Sequence, residues 1–217
     1  MRLVCLSDTH KRHEDVLLPD GDVLVFAGDM CGGGGEGSAR RFIHWFGKQR
    51  HKEKVMIAGN HDRCFDSGGK DLLKVFIKER GIRYLEHESE RIGGVNFFGS
   101  PYQPEFCNWA FNVRRGDDLA RLWSQIPVDT EVLITHGPPF GILDMTGSGE
   151  RCGCEDLRRR VDSLPCLKVN IFGHIHYSYG TKVHNGVKYV NVSICGEDYE
   201  PTNKPVVIEL LKEGSLD

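Results

Sequence analysis

Five short apolar runs in this chain each end in side chains that can ligate a metal. Residues 3–6 run into Ser7-Asp8-Thr9-His10, and residues 23–27 into Gly28-Asp29. The run beginning at Val55 ends in Gly59-Asn60-His61-Asp62, residues 132–134 in Thr135-His136-Gly137, and residues 169–172 in Gly173-His174-Ile175-His176. The candidate ligands are therefore Asp8, His10, Asp29, Asn60, His136, His174 and His176. Three oxygen donors and four imidazoles are too many for one ion. Two ions about 3.5–4 Å apart, sharing one carboxylate, would use them all and would clamp the attacking and leaving oxygens of a phosphoryl displacement. The mixed oxygen and nitrogen set suits Mn, Fe, Zn, Co or Ni better than Ca. His61 adjoins a ligand without being needed as one. Paired with Asp62, it could be held protonated to donate to a leaving oxygen or to stabilise charge there. A single Gly-Asn-His-Asp could be no more than a polar turn; its recurrence with four similar strand ends favours a site.

The runs are too short for helices and stop at glycine or polar residues, so they read as buried strands. In open α/β sheets the site lies outside the carboxyl ends of the strands, where ligands scattered along a sequence converge. Gly32 to Gly37, with four glycines in a row, follows the Gly28-Asp29 pair directly, a backbone expected to be mobile or closely approached. Ser38 would cap a helix running to about Arg50, with Phe42, Trp45 and Phe46 on a core-facing stripe. A second helix is expected from Asp71 to about Arg80, stopped by Gly81, and a third from about Asp117 to Gln125. The end of the chain reads as a hairpin around Asn185-Gly186 followed by a last strand over 205–210. The expected fold is α/β, one domain spanning residues 1–217, with mixed sheets.

A net charge of −3 with 27% charged residues exerts no general pull on nucleic acid, and duplex DNA or RNA is not an expected partner. No apolar stretch approaches 18 residues and the chain opens on its first strand, so no membrane contact and a cytoplasmic location are expected. Eight cysteines spread over the chain suit free or buried thiols in a reducing compartment, and Cys152-Gly153-Cys154 lacks the spacing of a structural zinc site. His13, His44, His51, His87 and His184 read as ordinary surface or packing residues, His13 in a solvated loop with Lys11 and Arg12. The segment 97–111 interleaves Tyr102, Phe106, Trp109 and Phe111 with prolines and no strand or helix period. It is either an aromatic rim of the pocket or a lid packed on the core. Trp109 and Phe111 of this segment, with Arg63 from the third motif's turn, are the candidate substrate contacts.

Taken together and in this order, the five motifs resemble those of the calcineurin-like metallophosphoesterase superfamily. The resemblance implies two mixed β-sheets packed as a sandwich flanked by α-helices, with a dinuclear centre at the strand ends. It also implies a division of ligands: Asp8, His10, Asp29 and His176 on one metal, Asp29, Asn60, His136 and His174 on the other, with Asp29 bridging and His61 near the leaving group. More narrowly, Asn108-Trp109-Ala110-Phe111-Asn112, His136-Gly137-Pro138-Pro139 and Tyr199-Glu200-Pro201-Thr202-Asn203 are similar to the metallophosphoesterase-domain proteins first described from fetal brain. That similarity implies a phosphodiesterase acting on cyclic nucleotides or other small phosphodiesters. Protein phosphatases of the superfamily carry an arginine after the Gly-Asp motif, where this chain has Met30-Cys31-Gly32. The alternatives are a phosphomonoesterase or protein phosphatase on the same site, or a non-catalytic scaffold that binds nucleotide or protein.

Overall fold

A computed structural model describes residues 1–210 of the protein. Strand β1 (Arg2–Leu6) sets the layering: Leu3 and Cys5 face one way, Val4 and Leu6 the other, and all four are fully buried. A strand apolar on both faces must lie between two covering layers. It pairs in parallel with β2 (Val23–Ala27), which pairs with β3 (Glu53–Ile57), which pairs with the short β4 (Arg83–Tyr84). The other edge is closed by antiparallel β13 (Val206–Glu209), giving the order β13-β1-β2-β3-β4. The second sheet comprises β5 (Glu88–Ile92), β6 (Val95–Ser100), β9 (Val132–Thr135), β10 (Val169–Phe172), β11 (Gly180–His184) and β12 (Val187–Asn191). Its order is β11-β12-β10-β9-β6-β5, parallel through the middle and antiparallel at each edge. A separate parallel pair, β7 (Gln103–Pro104) with β8 (Asn112–Val113), brackets an irregular segment.

Strand alternation sorts the apolar residues into three cores. Leu3, Val25, Val55 and Ile208 from the first sheet meet Phe97, Val132, Ile171 and Val190 from the second, so the sheets face each other. The outer face of the first sheet, with Val4, Phe26 and Met56, is covered by α1 (Glu36–Gly47) and α2 (Lys70–Lys78) through Phe42, Phe46, Leu73 and Ile77. The outer face of the second, with Phe98, Leu133 and Phe172, is covered by α3 (Asp117–Trp123) and α4 (Glu155–Val161) through Leu119, Trp123 and Leu157. The result is the expected sandwich of mixed sheets flanked by helices.

The local departures have physical reasons. Helix α1 begins at Glu36 rather than after Ser38, because Gly35 takes the capping position and Glu36 reaches Arg40 one turn on at 2.8 Å. Helix α4 has no counterpart in the sequence reading. Its cap is Cys154, whose Sγ accepts from Leu157 N at 3.3 Å, and its acidic first turn and three-arginine last turn complement the helix dipole. His13 is not in a solvated loop but is 4% exposed, its ring against Phe42 and Trp45. Asn185 and Gly186 both take positive φ in the two-residue turn between β11 and β12. All eight cysteines are free thiols. Among the described residues no helix is long and apolar enough to cross a membrane.

Candidate metal centre

The ends of β1, β2, β3, β9 and β10 carry the five motifs, and backbone hydrogen bonds draw these turns together. Ser7 N donates to Val192 O at 3.0 Å, Asp8 N to Gly28 O at 2.8 Å, and Gly173 N to His136 O at 2.9 Å. Asp8, His10, Asp29 and His174 all have φ between 41° and 68°, the left-handed region that non-glycine residues seldom enter. Such strain, about 1–3 kcal/mol at a residue, persists only where surrounding structure imposes it, and here it recurs at residues meant to ligate. The glycines of the motifs admit those side chains. A Cβ on Gly59 would collide with Asp29 Oδ1, and one on Gly173 would collide with Asp8 Oδ2.

Ligand atoms of Asp8, His10 and His176 fall within 4.8 Å of one another, as do those of Asp8, Asp29 and His136. One oxygen, Asp29 Oδ2, lies 3.9 Å from His10 Nε2 and 3.4 Å from His136 Nε2, so it stands between the two groups as a bridging carboxylate should. Asn60 Oδ1 is 2.8 Å from His136 Nε2. The rings of His136 and His174 are 5.0 Å apart, which puts His174 on the same side. The imidazoles are aimed by their other nitrogens. His10 Nδ1 is 3.1 Å from the Cys31 carbonyl, His136 Nδ1 is 2.9 Å from that of Ala27, and His176 Nδ1 is 2.8 Å from that of Gly196. Each carbonyl fixes a proton on Nδ1 and turns the Nε2 lone pair inward, the outer-shell arrangement usual for metal-bound histidine. His10 Nε2 and His176 Nε2 then face each other at 3.2 Å, so a proton or a cation must lie between them. This donor set fits a pair of divalent metals.

The electrostatics agree. Burial tends to raise the pKa of both aspartates, but the neighbouring histidines outweigh it: Asp8 is held well below the usual carboxylate range, chiefly by His176, and Asp29 at about 2, chiefly by His136. The same pairings overcome the effect of burial on the histidines, lifting His136 through Asp29 and His176 through Asp8 to about 9. His174, buried and beside His136, is depressed to about 3. The two ionised carboxylates are thus balanced by protonated His136 and His176, the positive charge that divalent cations would supply in their place.

His61 and Asp62 divide differently from the expected pair. His61 Nδ1 is 2.7 Å from the Gly32 carbonyl, and its backbone N donates to Asp29 Oδ1 at 2.8 Å. Its ring nitrogen also falls within 4.8 Å of ligand atoms of His10 and Asp29. Asp62 is fully buried and accepts from the backbone N–H groups of Gly59 and Asp29 at 2.9 Å and of Cys31 at 2.9 Å. Its carboxylate clamps the β2 and β3 turns together, and its pKa is raised to about 6 by burial and by Asp29. With Met30 N at 3.4 Å as a fourth donor, the Asp62 oxygens are turned to backbone amides, while the His61 imidazole faces the Gly32 carbonyl instead.

A cleft of about 710 Å³ opens onto the centre, lined by Asp29, Asn60, His61, His174 and His176 and further out by Phe106, Trp109, Tyr177 and Tyr199. The segment 97–111 therefore does both jobs foreseen for it. Phe106 and Trp109 face the cleft, whereas Phe111 is 2% exposed in the helix-side core, edge-on to Tyr102. Phe111 is thus corrected from substrate contact to packing residue. Arg63 is corrected too: it does not line the cleft, its guanidinium lying over the Trp109 ring at 4.8 Å and donating to Asn108 O.

The sequence reading missed the outer shell of Asp8. Ser7 Oγ and Ser193 Oγ, at 2.5 and 2.8 Å, both donate to Asp8 Oδ2, which leaves Oδ1 facing His10 and His176. Ser193 follows β12, a strand ending in polar residues that bear no metal-type ligand, so only its position next to Ser7 reveals it. Tyr199, edge-on to His10 at 4.7 Å, was noticed as part of a motif and not as a neighbour of the centre.

Comparison with known proteins agrees with this geometry. The family profile for calcineurin-like phosphoesterases matches residues 1–178. Metallophosphoesterase domain-containing protein 1 of Homo sapiens is 36% identical over 230 aligned residues, covering 96% of this chain and 71% of that protein. UPF0046 protein K07C11.7 of Caenorhabditis elegans is 35% identical over 224, covering 98% of this chain and 76% of that one. The crystal structure of TT1561 of Thermus thermophilus matches with a TM-score of 0.61 over 88% of each chain at 10% identity, a likeness of fold alone.

Proposed function

Since this chain belongs to the calcineurin-like phosphoesterase family, and so is a metal-dependent hydrolase of phosphoesters, we propose that its substrates are small phosphodiesters, cyclic nucleotides among them. The observation that carries this reading is the charge of the cleft. The basic side chains nearest the motifs are engaged elsewhere: Arg12 with Asp15 and Glu200, and Arg63 with Trp109 and Asn108. Neither they nor Lys11 line the cleft. The two arginines that do, Arg115 and Arg151, are bonded to Glu155 and Asp144, while Glu105, Glu150 and Glu197 share the walls. A phosphomonoester near pH 7 carries about 1.5–2 negative charges and a diester one, so walls of this sign disfavour the monoester more.

When bound among Asp8, His10, Asp29, Asn60, His136, His174 and His176, two divalent metals supply Lewis-acid polarisation of the phosphoryl group and activation of water. The protein's own contributions follow from its geometry. The carbonyls of Cys31, Ala27 and Gly196 keep the ligating imidazoles in one tautomer, and Ser7 and Ser193 hold Asp8 in one rotamer. His61, with Nδ1 committed to Gly32, has Nε2 free for the substrate, and as the imidazolium it donates from Nε2 to the departing oxygen. The eight free thiols support a reducing compartment, and a cytoplasmic location belongs to the same reading.

The test is kcat/KM for bis-nitrophenyl phosphate against nitrophenyl phosphate at one pH and metal loading, with cyclic nucleotides and a phosphopeptide alongside. The diester should be preferred. A preference for the monoester or the phosphopeptide would overturn the substrate class and leave the metal centre standing.

A further inference from the structure

Trp109 lines the cleft and stacks on the ring of His61. Its ring centroid lies 4.2 Å from that of His61 with the planes 28° apart, a stacked pair. His61 is otherwise fixed at a single ring atom, Nδ1, by the Gly32 carbonyl. One hydrogen bond fixes a point and leaves the ring free to tilt about it. A second planar group lying flat against the ring removes that tilt, and with it the freedom of Nε2 to swing away from the leaving oxygen. The other contacts of His61 are edge-on, to His10 at 4.8 Å and Tyr199 at 6.2 Å, and these do not set its plane.

The indole is itself tied to the turn that carries His61. Ala110 N donates to Asn60 O at 3.2 Å, and Phe111 N to Asp66 Oδ2 at 3.2 Å. Arg63, two residues beyond His61, places its guanidinium 4.8 Å over the Trp109 ring and donates to Asn108 O. Four contacts from the consecutive residues 108–111 thus end on residues 60–66. Such a connection serves alignment: the indole has the imidazole stacked on it at 4.2 Å and the Arg63 guanidinium over its ring at 4.8 Å, so its flat surface is engaged by the protein's own groups.

We infer that Trp109 is a positioning residue for the reaction, holding the plane of His61 so that Nε2 addresses the leaving oxygen. The inference rests on the reading of His61 as proton donor given above. In the donation itself the proton on Nε2 passes to the departing oxygen as its bond to phosphorus breaks, and the imidazole is left neutral. The requirement for the proton grows with the basicity of the leaving group, so the contribution of Trp109 must grow with it.

The experiment is a double-mutant cycle of Trp109→Ala and His61→Ala in the zinc-loaded protein, run on aryl diesters from nitrophenyl to phenyl and, in parallel, on the matching monoesters. Trp109→Ala should lower kcat for the phenyl ester by about 10- to 100-fold, since a misplacement of about 1 Å can cost that much. The loss should shrink toward the nitrophenyl ester, with KM little changed and the zinc content kept. In the His61→Ala background the same substitution should cost almost nothing, because the two act as one unit. Trp109→Phe, which keeps a flat ring, should recover most of the rate. In the NMR spectrum the His61 ring protons should be shifted upfield by the indole and should lose that shift in Trp109→Ala.

Additive losses in the cycle, a change confined to KM, or loss of zinc from Trp109→Ala would each overturn the inference; the second outcome would make Trp109 a substrate contact and the third a brace for Asn60. A ring shift that disappears without a leaving-group-dependent loss of rate would overturn it as well. If the enzyme prefers monoesters, the diester reading fails while the same cycle on monoesters still decides the role of Trp109. If His61→Ala costs nothing, the donor reading and this inference fail together, whatever the preferred ester.

Discussion

The turns that end β1, β2, β3, β9 and β10 and the segment from Pro101 to Asn112 are both irregular backbone rich in side chains suited to a site, but they are organised by different forces. In the turns, residue type and role coincide: every carboxylate, carboxamide and imidazole at a strand end points into one centre, Asp62 apart. Close backbone contacts impose this even at the price of left-handed φ at Asp8, His10, Asp29 and His174. In the segment, residue type says little. Four aromatics in ten residues are divided between the cleft, where Phe106 and Trp109 lie, and the core, where Tyr102 and Phe111 lie. A charged or ligating group buried at a strand end can be stabilised only by a partner, so its role is nearly forced. An aromatic ring is content against any apolar surface, so its role depends on the direction in which a loop happens to run.

The sharpest way to break this comparison is at Asp29. Asp29→Asn removes the charge of the oxygen that stands between His10 and His136, and metal content should fall well below two per chain by elemental analysis. Turnover should drop by more than the ~10–100-fold typical of losing an outer-shell partner. Full activity with two metals retained would remove Asp29 from the bridging position.

A step outward, Ser193→Ala should weaken metal binding by about 10–100-fold in a chelator competition, because Ser193 Oγ holds Asp8 Oδ2 from a strand with no ligand of its own. An affinity equal to that of the unaltered protein would mean that Ser7 alone orients Asp8. The smallest effect on chemistry is expected in the irregular segment, at Phe111. Phe111→Ala should lower unfolding stability by about 3–5 kcal/mol, as large-to-small changes of a core phenylalanine do, and leave KM unchanged for large and small esters alike. A selective rise in KM for nucleotides would return Phe111 to the substrate-binding wall.

Much of the architecture could be read directly. Strands of four or five residues with apolar side chains on both faces, separated by amphipathic helices, read as an α/β domain of mixed sheets; their stacking as two sheets was implied by the resemblance of the five motifs and not by the pattern. The bounds of β1, β2 and β10 agree with the runs seen in the sequence. Helix α4 escaped notice because its cap is a cysteine and its seven residues present only Leu157 and Val161 as apolar core contacts. Asp62 was misread because adjacency in sequence suggested a His61-Asp62 pair. In the tight turn the two side chains diverge, one toward the cleft and the other into the amides of Gly59, Asp29 and Cys31.

The sequence by itself picked out the side chains that the fold gathers into one centre, because a buried carboxylate or imidazole must be neutralised and the five strand ends offer a concentrated supply of both. It determined the α/β class as well, because short strands that are apolar on both faces must be covered on both. Only the tertiary structure decided which carbonyl fixes each imidazole, that Ser193 supports Asp8 across 185 residues, that Arg63 turns from the cleft to Trp109, and that Trp109 lies flat on His61. These are contacts between segments remote in sequence, each made by a side chain with several acceptable partners. Among such partners the choice is made by the packing of the whole chain, and no local pattern records it.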